Sequence, residues 1–384
     1  MKKILFFILL LILGALAWWG SQYRSSNLPE AASSSPSRSE RKAAQTKKID
    51  LTPLLAELAA KQDPASAREL LSKLRQKLDE LSPEQAAFLV ENYFASGEDA
   101  ELSLTFEVDQ NGQLKTAPTL RTALLDHLAL INPEAAAALG RQILSEPTSA
   151  DEWALALRNL ARVETDSRDY LLEKTEQLIR NPDWQAQPSI GYLNAFDTLV
   201  HLQATEKTPL LSELVQRKDR QDLAHASFLT LDRLTLTATN DMLSLIASDQ
   251  ALQQARPEMA AQQLARADFR IESQRSTVRE WLLDPQRTTT QLDTFAKTFP
   301  NGNLAISNNL LTSSTPFSGS DLRDRDLRSL ETVDTWIHLP EFAPIKSHLE
   351  TMSQRLTQFI NTVPRCSKRL ILSLGKSPPT TQAE

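Results

Sequence analysis

Five histidines, one cysteine and 48 acidic side chains are the groups from which this 384-residue chain would have to build a reaction centre. His127, His201, His225, His338 and His348 include no pair four residues apart, the spacing that puts two zinc ligands on one helix face. Pro340 lies between His338 and Glu341 and prevents one helix face from carrying both. Asp126 precedes His127 and could orient it as a base, but the setting Leu124-Leu125-Asp126-His127-Leu128 predicts an ordinary helix-surface pair. Cys366 is the only cysteine, which excludes an intramolecular disulfide and a thiolate zinc cluster.

Asp321, Asp324 and Asp326 alternate with Arg323, Arg325 and Arg328, the pattern of a solvated, self-neutralising helix face. The calcium-loop pattern and its glycine are missing. The sequence holds no Gly-x-Ser-x-Gly elbow, P-loop or Gly-x-Gly-x-x-Gly turn. A glycan-cleaving carboxylate pair needs no motif, so the acids keep that chemistry open. No catalytic, cofactor-binding or metal-binding residue is therefore assigned, and no cofactor is expected.

The elements that would position any site are helices. Glycine is scarce, nine in the chain, while Ala, Leu, Gln, Glu and Arg favour helix. The net charge of -6 is dispersed, so no basic stripe offers nucleic acid the energy of counterion release. Capping residues precede proline at Thr52-Pro53, Asp63-Pro64, Ser82-Pro83, Asn132-Pro133 and Thr208-Pro209, each predicting a helix start. Ser82 with Gln85 and Ser149 with Glu152 have capping-box spacing. Ala67, Leu70, Leu71, Leu74, Leu78 and Leu81 form one apolar stripe, and Phe88 to Phe94 stop at a capping Gly97. Further helices are expected near 119–131, 133–144, 150–163, 167–180, 189–203, 209–216, 220–235, 240–248, 257–268, 274–283, 290–298, 321–338 and 344–363.

Two stretches depart from that rhythm. Leu102, Leu104, Phe106 and Val108 alternate with polar residues before Asn111-Gly112, which predicts a β-hairpin over 102–116, either a cover for the helices or a docking edge. Residues 299–319 carry Pro300, Asn301-Gly302, Asn308-Asn309 and Ser313-Ser314-Thr315-Pro316, a long surface loop and the first place to look for binding. Ile345, Leu349, Met352, Leu356, Phe359 and Val363 keep coiled-coil spacing over less than three heptads, so packing on the helix of 321–338 is preferred to dimerisation.

Lys2 and Lys3 precede an apolar run over 4–13, then Gly14-Ala15-Leu16-Ala17 and Trp18-Trp19, which predicts export. The expectation is a retained single-pass anchor over 4–20 with a cytoplasmic N-terminus and the bulk of the chain periplasmic. The alternative is secretion after cleavage following Ala17. No cysteine follows the run, so anchoring through an acylated cysteine is excluded.

The expected organisation is an anchor or signal peptide at 1–20 and a disordered Ser/Pro-rich tether at 21–48. A helical-repeat-like domain follows at 49–300, then a loop at 301–320, a helical pair at 321–363 and a flexible tail at 364–384. Short helices on short loops must stack on neighbours to bury a face, giving an all-α irregular solenoid or superhelix of antiparallel pairs, HEAT- or TPR-like in shape. The expected function is a membrane-tethered scaffold or adaptor that binds another envelope protein. The alternative is an envelope enzyme acting on glycan or peptide.

Overall fold

The computed structural model describes residues 63–303, 309–312 and 319–362, with positions 53–54 and 56–57. The expected anchor at 4–20, tether at 21–48 and tail with Cys366 lie outside the described residues, as do 304–308 and 313–318 of the loop. Among the described residues no helix is long and apolar enough to cross a membrane.

The chain is mostly helical. In order it forms α1 (Pro64–Asp79), α2 (Pro83–Ala95), β1 (Glu107–Val108), β2 (Leu114–Thr116), α3 (Leu120–Ile131), α4 (Pro133–Ile143), α5 (Ala150–Val163) and α6 (Arg168–Arg180). Four short helices follow, α7 (Pro182–Ala186), α8 (Ile190–Ala195), α9 (Asp197–His201) and α10 (Thr208–Val215), then α11 (Gln221–Thr237), α12 (Thr239–Ser248) and α13 (Gln250–Ala255). The last are α14 (Pro257–Leu264), α15 (Glu272–Leu283), α16 (Thr289–Thr298), α17 (Gly319–Ile337) and α18 (Lys346–Thr362).

The helix starts follow from side-chain caps that satisfy otherwise orphaned N–H groups. Asp63 accepts from the Ser66 amide at 2.9 Å, and Ser82 with Gln85 forms a reciprocal capping box. Thr119 with Thr122 and Thr288 with Gln291 do the same. Two expectations are corrected. Ser149 accepts from the Glu152 amide, but the Glu152 carboxylate turns away to a two-pronged pair with Arg121 at 2.8 and 3.0 Å, the stronger, charge-assisted partner. Thr208 is already inside its helix, and its hydroxyl donates to the Thr205 carbonyl instead of capping.

The expected helix over 189–203 is interrupted at Phe196, where the hydrogen-bond ladder lapses between α8 and α9. The strands are shorter than expected and pair antiparallel with an irregular register between Glu107 and Val108. Ser103 sits at φ 51°, which breaks the extended run, yet Leu102, Leu104, Phe106 and Val108 are all buried, as their alternation requires. Substantial helix–helix packing joins elements no more than four apart in the chain, with α4 on α5, α10 on α11 and α14 on α16 among the tightest. Gly140 allows the first of these approaches, since a Cβ there would stand 2.7 Å from Leu160 and 3.3 Å from the Ala156 backbone. Leu349, Met352 and Leu356 of α18 are buried, and α18 packs on both α17 and α16.

Candidate functional site

Residues 309–312 run through a setting assembled from the hairpin and four helices, α3, α5, α9 and α11. The hairpin turn is shaped by Asp109, whose Oδ1 accepts the amides of Asn111 at 2.7 Å and Gln113 at 2.9 Å, and by Gly112 at φ 75°. Beneath the turn lies a buried ion pair. Arg158 of α5 donates to Asp126 of α3 at 2.5 Å and to the Gly112 carbonyl at 2.8 Å, and its other nitrogens reach Asn159 Oδ1 at 2.8 and 3.0 Å. Asp126 also accepts the Leu114 amide with both oxygens at 3.1 Å. Arg158 is fully buried at 0% exposure and Asp126 at 1%, so every one of these bonds offsets desolvation.

Arg162, one turn further along α5, donates through Nη2 to the Asn111 carbonyl at 2.8 Å and to the Leu310 carbonyl at 2.9 Å. Burial, with Arg158 alongside, pulls its proton affinity below the usual guanidinium value; the group still carries its charge. Gln113 links the two layers, donating to Asp126 and accepting from Arg162 in the amide orientation that satisfies both ends. On the other side of the segment, Asp197 of α9 accepts the amides of Leu311 at 2.8 Å and Thr312 at 2.9 Å, together with the Thr312 hydroxyl. Arg233 of α11 donates to the same carboxylate at 3.3 Å. Leu310 is buried, and Asn309 donates to the Thr312 carbonyl at 3.1 Å.

This arrangement grips a short stretch, bent at Leu310 and Leu311, by its main chain. One carbonyl, two consecutive amides and a hydroxyl are read by charged groups, and one leucine enters the interior. Such recognition through main-chain groups fixes direction and register, the logic of peptide-binding surfaces. Asn111-Gly112 and the 299–319 loop were visible in the sequence, and the structure brings the turn and residues 309–310 of that loop together. Arg158, Arg162, Asp197 and Arg233 carried no local signal, because the partners that place them in this setting, Asp126, Leu310, Leu311 and again Asp197, lie 32 to 148 residues away in the chain.

The groups singled out for chemistry have other occupations. Asp126 and His127 are buried, which corrects the expectation of a surface pair: Asp126 answers Arg158, and His127 Nε2 sits 3.2 Å from the Arg75 carbonyl and 3.0 Å from Asp79. Burial lowers the His127 pKa despite the nearby Asp79. His338 contacts the Asp334 carbonyl, His348 stands 3.2 Å from Asp293, and His225 stacks on Phe228. His201 ends α9 with its side chain exposed. Among the described residues no three His, Cys, Asp or Glu side chains are grouped to hold a metal.

The Asp/Arg run of α17 divides. Asp326 is buried beside Arg325 at 2.9 Å, Asp324 reaches across to Arg270 at 3.1 Å, and only part of the run is the solvated face expected. Asp151 is a carboxylate whose pKa burial raises, and it accepts from the Ser189 hydroxyl at 2.5 Å and the Gly191 amide at 2.9 Å. A cavity of about 160 Å³ is lined by Arg266, Arg270 and Arg325 with Asp268 and Asp321. Its arginines are each met by an aspartate, Asp232, Asp268 and Asp326 respectively, so each of these cations has a paired carboxylate. No protein-family model, curated protein or solved structure matches the chain.

Proposed function

We propose that the chain is an exported scaffold or adaptor, tethered to a membrane through residues 4–20 with its bulk in the periplasm, that binds a short segment of another envelope protein. The observation that carries this reading is the grip of Arg162 and Asp197 on the main chain of 309–312. A surface that holds one short bent stretch through carbonyl and amide groups suits a second stretch with a leucine followed two residues later by a hydroxyl. The helices are proposed to form an irregular solenoid of antiparallel pairs; packing limited to near neighbours along the chain supports that arrangement. The competing proposal, an envelope enzyme acting on glycan or peptide, draws on the raised carboxyl of Asp151, whose hydrogen bonds to Ser189 and Gly191 already serve the start of α8.

The test is recovery of the C-terminally tagged chain from detergent-solubilised membranes, with intact mass determined in the same experiment. A stoichiometric envelope partner is expected, and Arg162→Met and Asp197→Asn should each weaken its capture about tenfold to hundredfold, as loss of charge-assisted hydrogen bonds implies. Recovery without a partner, or capture indifferent to both substitutions, overturns the reading. A chain mass beginning at Met1 supports the anchor, and one beginning at Trp18 replaces it with a cleaved signal.

A further inference from the structure

A second surface lies away from the clamp, where the end of α10, the turn after it, the first two turns of α11 and the start of α14 enclose an open groove of about 510 Å³. That volume is within the range of roughly 300–1,000 Å³ typical of ligand sites. Its floor is apolar, with Val215, Ala224 and Met259 buried, and one wall is the stacked pair His225 and Phe228 with ring centroids 6.4 Å apart. The rim is cationic: Arg217, Lys218 and Arg256 all line the groove, and no carboxylate does.

The cations are held in place by different means. Arg256 lines the groove and donates from Nε to the Val215 carbonyl at 2.9 Å, which fixes its stem. Arg217 is braced by Asp219 at 2.5 and 2.9 Å and by Gln185 at 3.0 Å, while Lys218 is exposed. The nearby Asp222 is engaged by Arg220 at 2.7 and 3.2 Å, so the neighbouring acids do not turn into the groove.

We propose that this groove binds an acidic segment of a partner protein that places an aromatic or large apolar side chain between carboxylates. The apolar side chain meets Met259 and Val215 and packs against Phe228 and His225, and the flanking carboxylates meet Lys218 and Arg256. Apolar burial supplies the attraction and the rim charges supply the choice of sign. The inference rests on the reading of this chain as a protein binder, though on none of the residues of the clamp.

The experiment is fluorescence anisotropy on the full detergent-solubilised chain, using a fluorescein-labelled Glu-Phe-Glu-Glu-Phe-Glu peptide and its counterpart with every Glu replaced by Lys. Saturable binding of the acidic peptide alone is expected. It should weaken about tenfold on raising salt from 0.05 to 0.5 M, because screening of an open rim is strong at the higher value. Lys218→Glu changes an exposed side chain and leaves the fold intact, and it should weaken binding about tenfold or more. Phe228→Ser should do likewise at unchanged salt dependence. Equal binding of both peptides, no binding, or binding indifferent to Lys218→Glu overturns the proposal. Asp197→Asn separates the two readings, since it should lose the envelope partner while the acidic probe still binds.

Discussion

The Asp126–Arg158 pair is the most demanding residue-level commitment in the chain, a full charge pair with essentially no exposure. Removing one member leaves the other buried without its counter-charge, which typically costs about 3–5 kcal/mol. Asp126→Ala should therefore lower urea-unfolding stability by about that amount, whereas the double substitution Asp126→Leu with Arg158→Met should recover much of it. A double variant no more stable than the single one would mean that the pair is not the source of the loss. The sequence could not announce this pairing. Asp126 beside His127 looked like a helix-surface dipeptide because nothing local reveals that Arg158, 32 residues on, projects to the same point.

His127 makes a pH-dependent contribution of predictable sign. Its pKa is lowered in the folded chain, chiefly by burial, with Arg75 adding to the shift and Asp79 opposing it. Below its ordinary value of about 6.5 the unfolded chain takes up the proton first, so stability is fully present above that pH and declines as pH falls toward the depressed folded value. His127→Gln should flatten this slope between pH 6.5 and the folded pKa, each unit of depression being worth about 1.4 kcal/mol at most. Thermal unfolding followed across that interval reads it directly. An unchanged slope would assign the acid sensitivity to other groups.

At the scale of elements, the sequence was most legible where one short-range rule decides. Proline after a capping residue marks the starts of α1, α2 and α4, and Gly97 at φ 72° follows the end of α2. Legibility failed where tertiary partners competed with the local rule: Glu152 leaves its cap for Arg121, and Ser103 interrupts the strand that the alternation of Leu102 to Val108 had implied. The hairpin turn obeys both scales. Gly112 has a positive φ, and a Cβ there would stand 2.3 Å from the Leu310 carbonyl and 2.9 Å from that of Asn309. Gly112→Ala thus combines backbone strain of roughly 1–2 kcal/mol with a clash of the new methyl against backbone oxygens, which no rotamer change can relieve. The expected outcome is release of 309–312 rather than collapse of the helices. Hydrogen exchange at the Leu311 and Thr312 amides should accelerate while the α4 and α5 amides stay protected. Loss of protection throughout would show that the turn supports the whole fold.

For the molecule as a whole, the order of packing along the chain sets how far a local injury travels. Where substantial helix packing among the described residues joins only near neighbours, stability approximates a sum of local and nearest-neighbour contributions. The aromatic cluster around α15 to α18 tests this. Phe342 is fully buried, stacks on Trp336 at 5.1 Å, and Trp336 in turn meets Phe269, which contacts Phe299 at 4.4 Å. Phe342→Ala should cost about 3–5 kcal/mol. Protection should be lost first in α16, α17 and α18, with α3 to α5 little affected, because those groups of helices share no substantial packing. The bonds from Arg162 and Asp197 to residues 310–312 are the exception, joining the α5 and α9 region to a stretch just before α17. Adding Asp197→Asn to Phe342→Ala should therefore confine the loss still more sharply, measured as a widening gap between hydrogen-exchange protection of α5 and α17. An equal fall of both in the single variant would mean that the chain unfolds as one cooperative unit and that near-neighbour packing does not govern its stability.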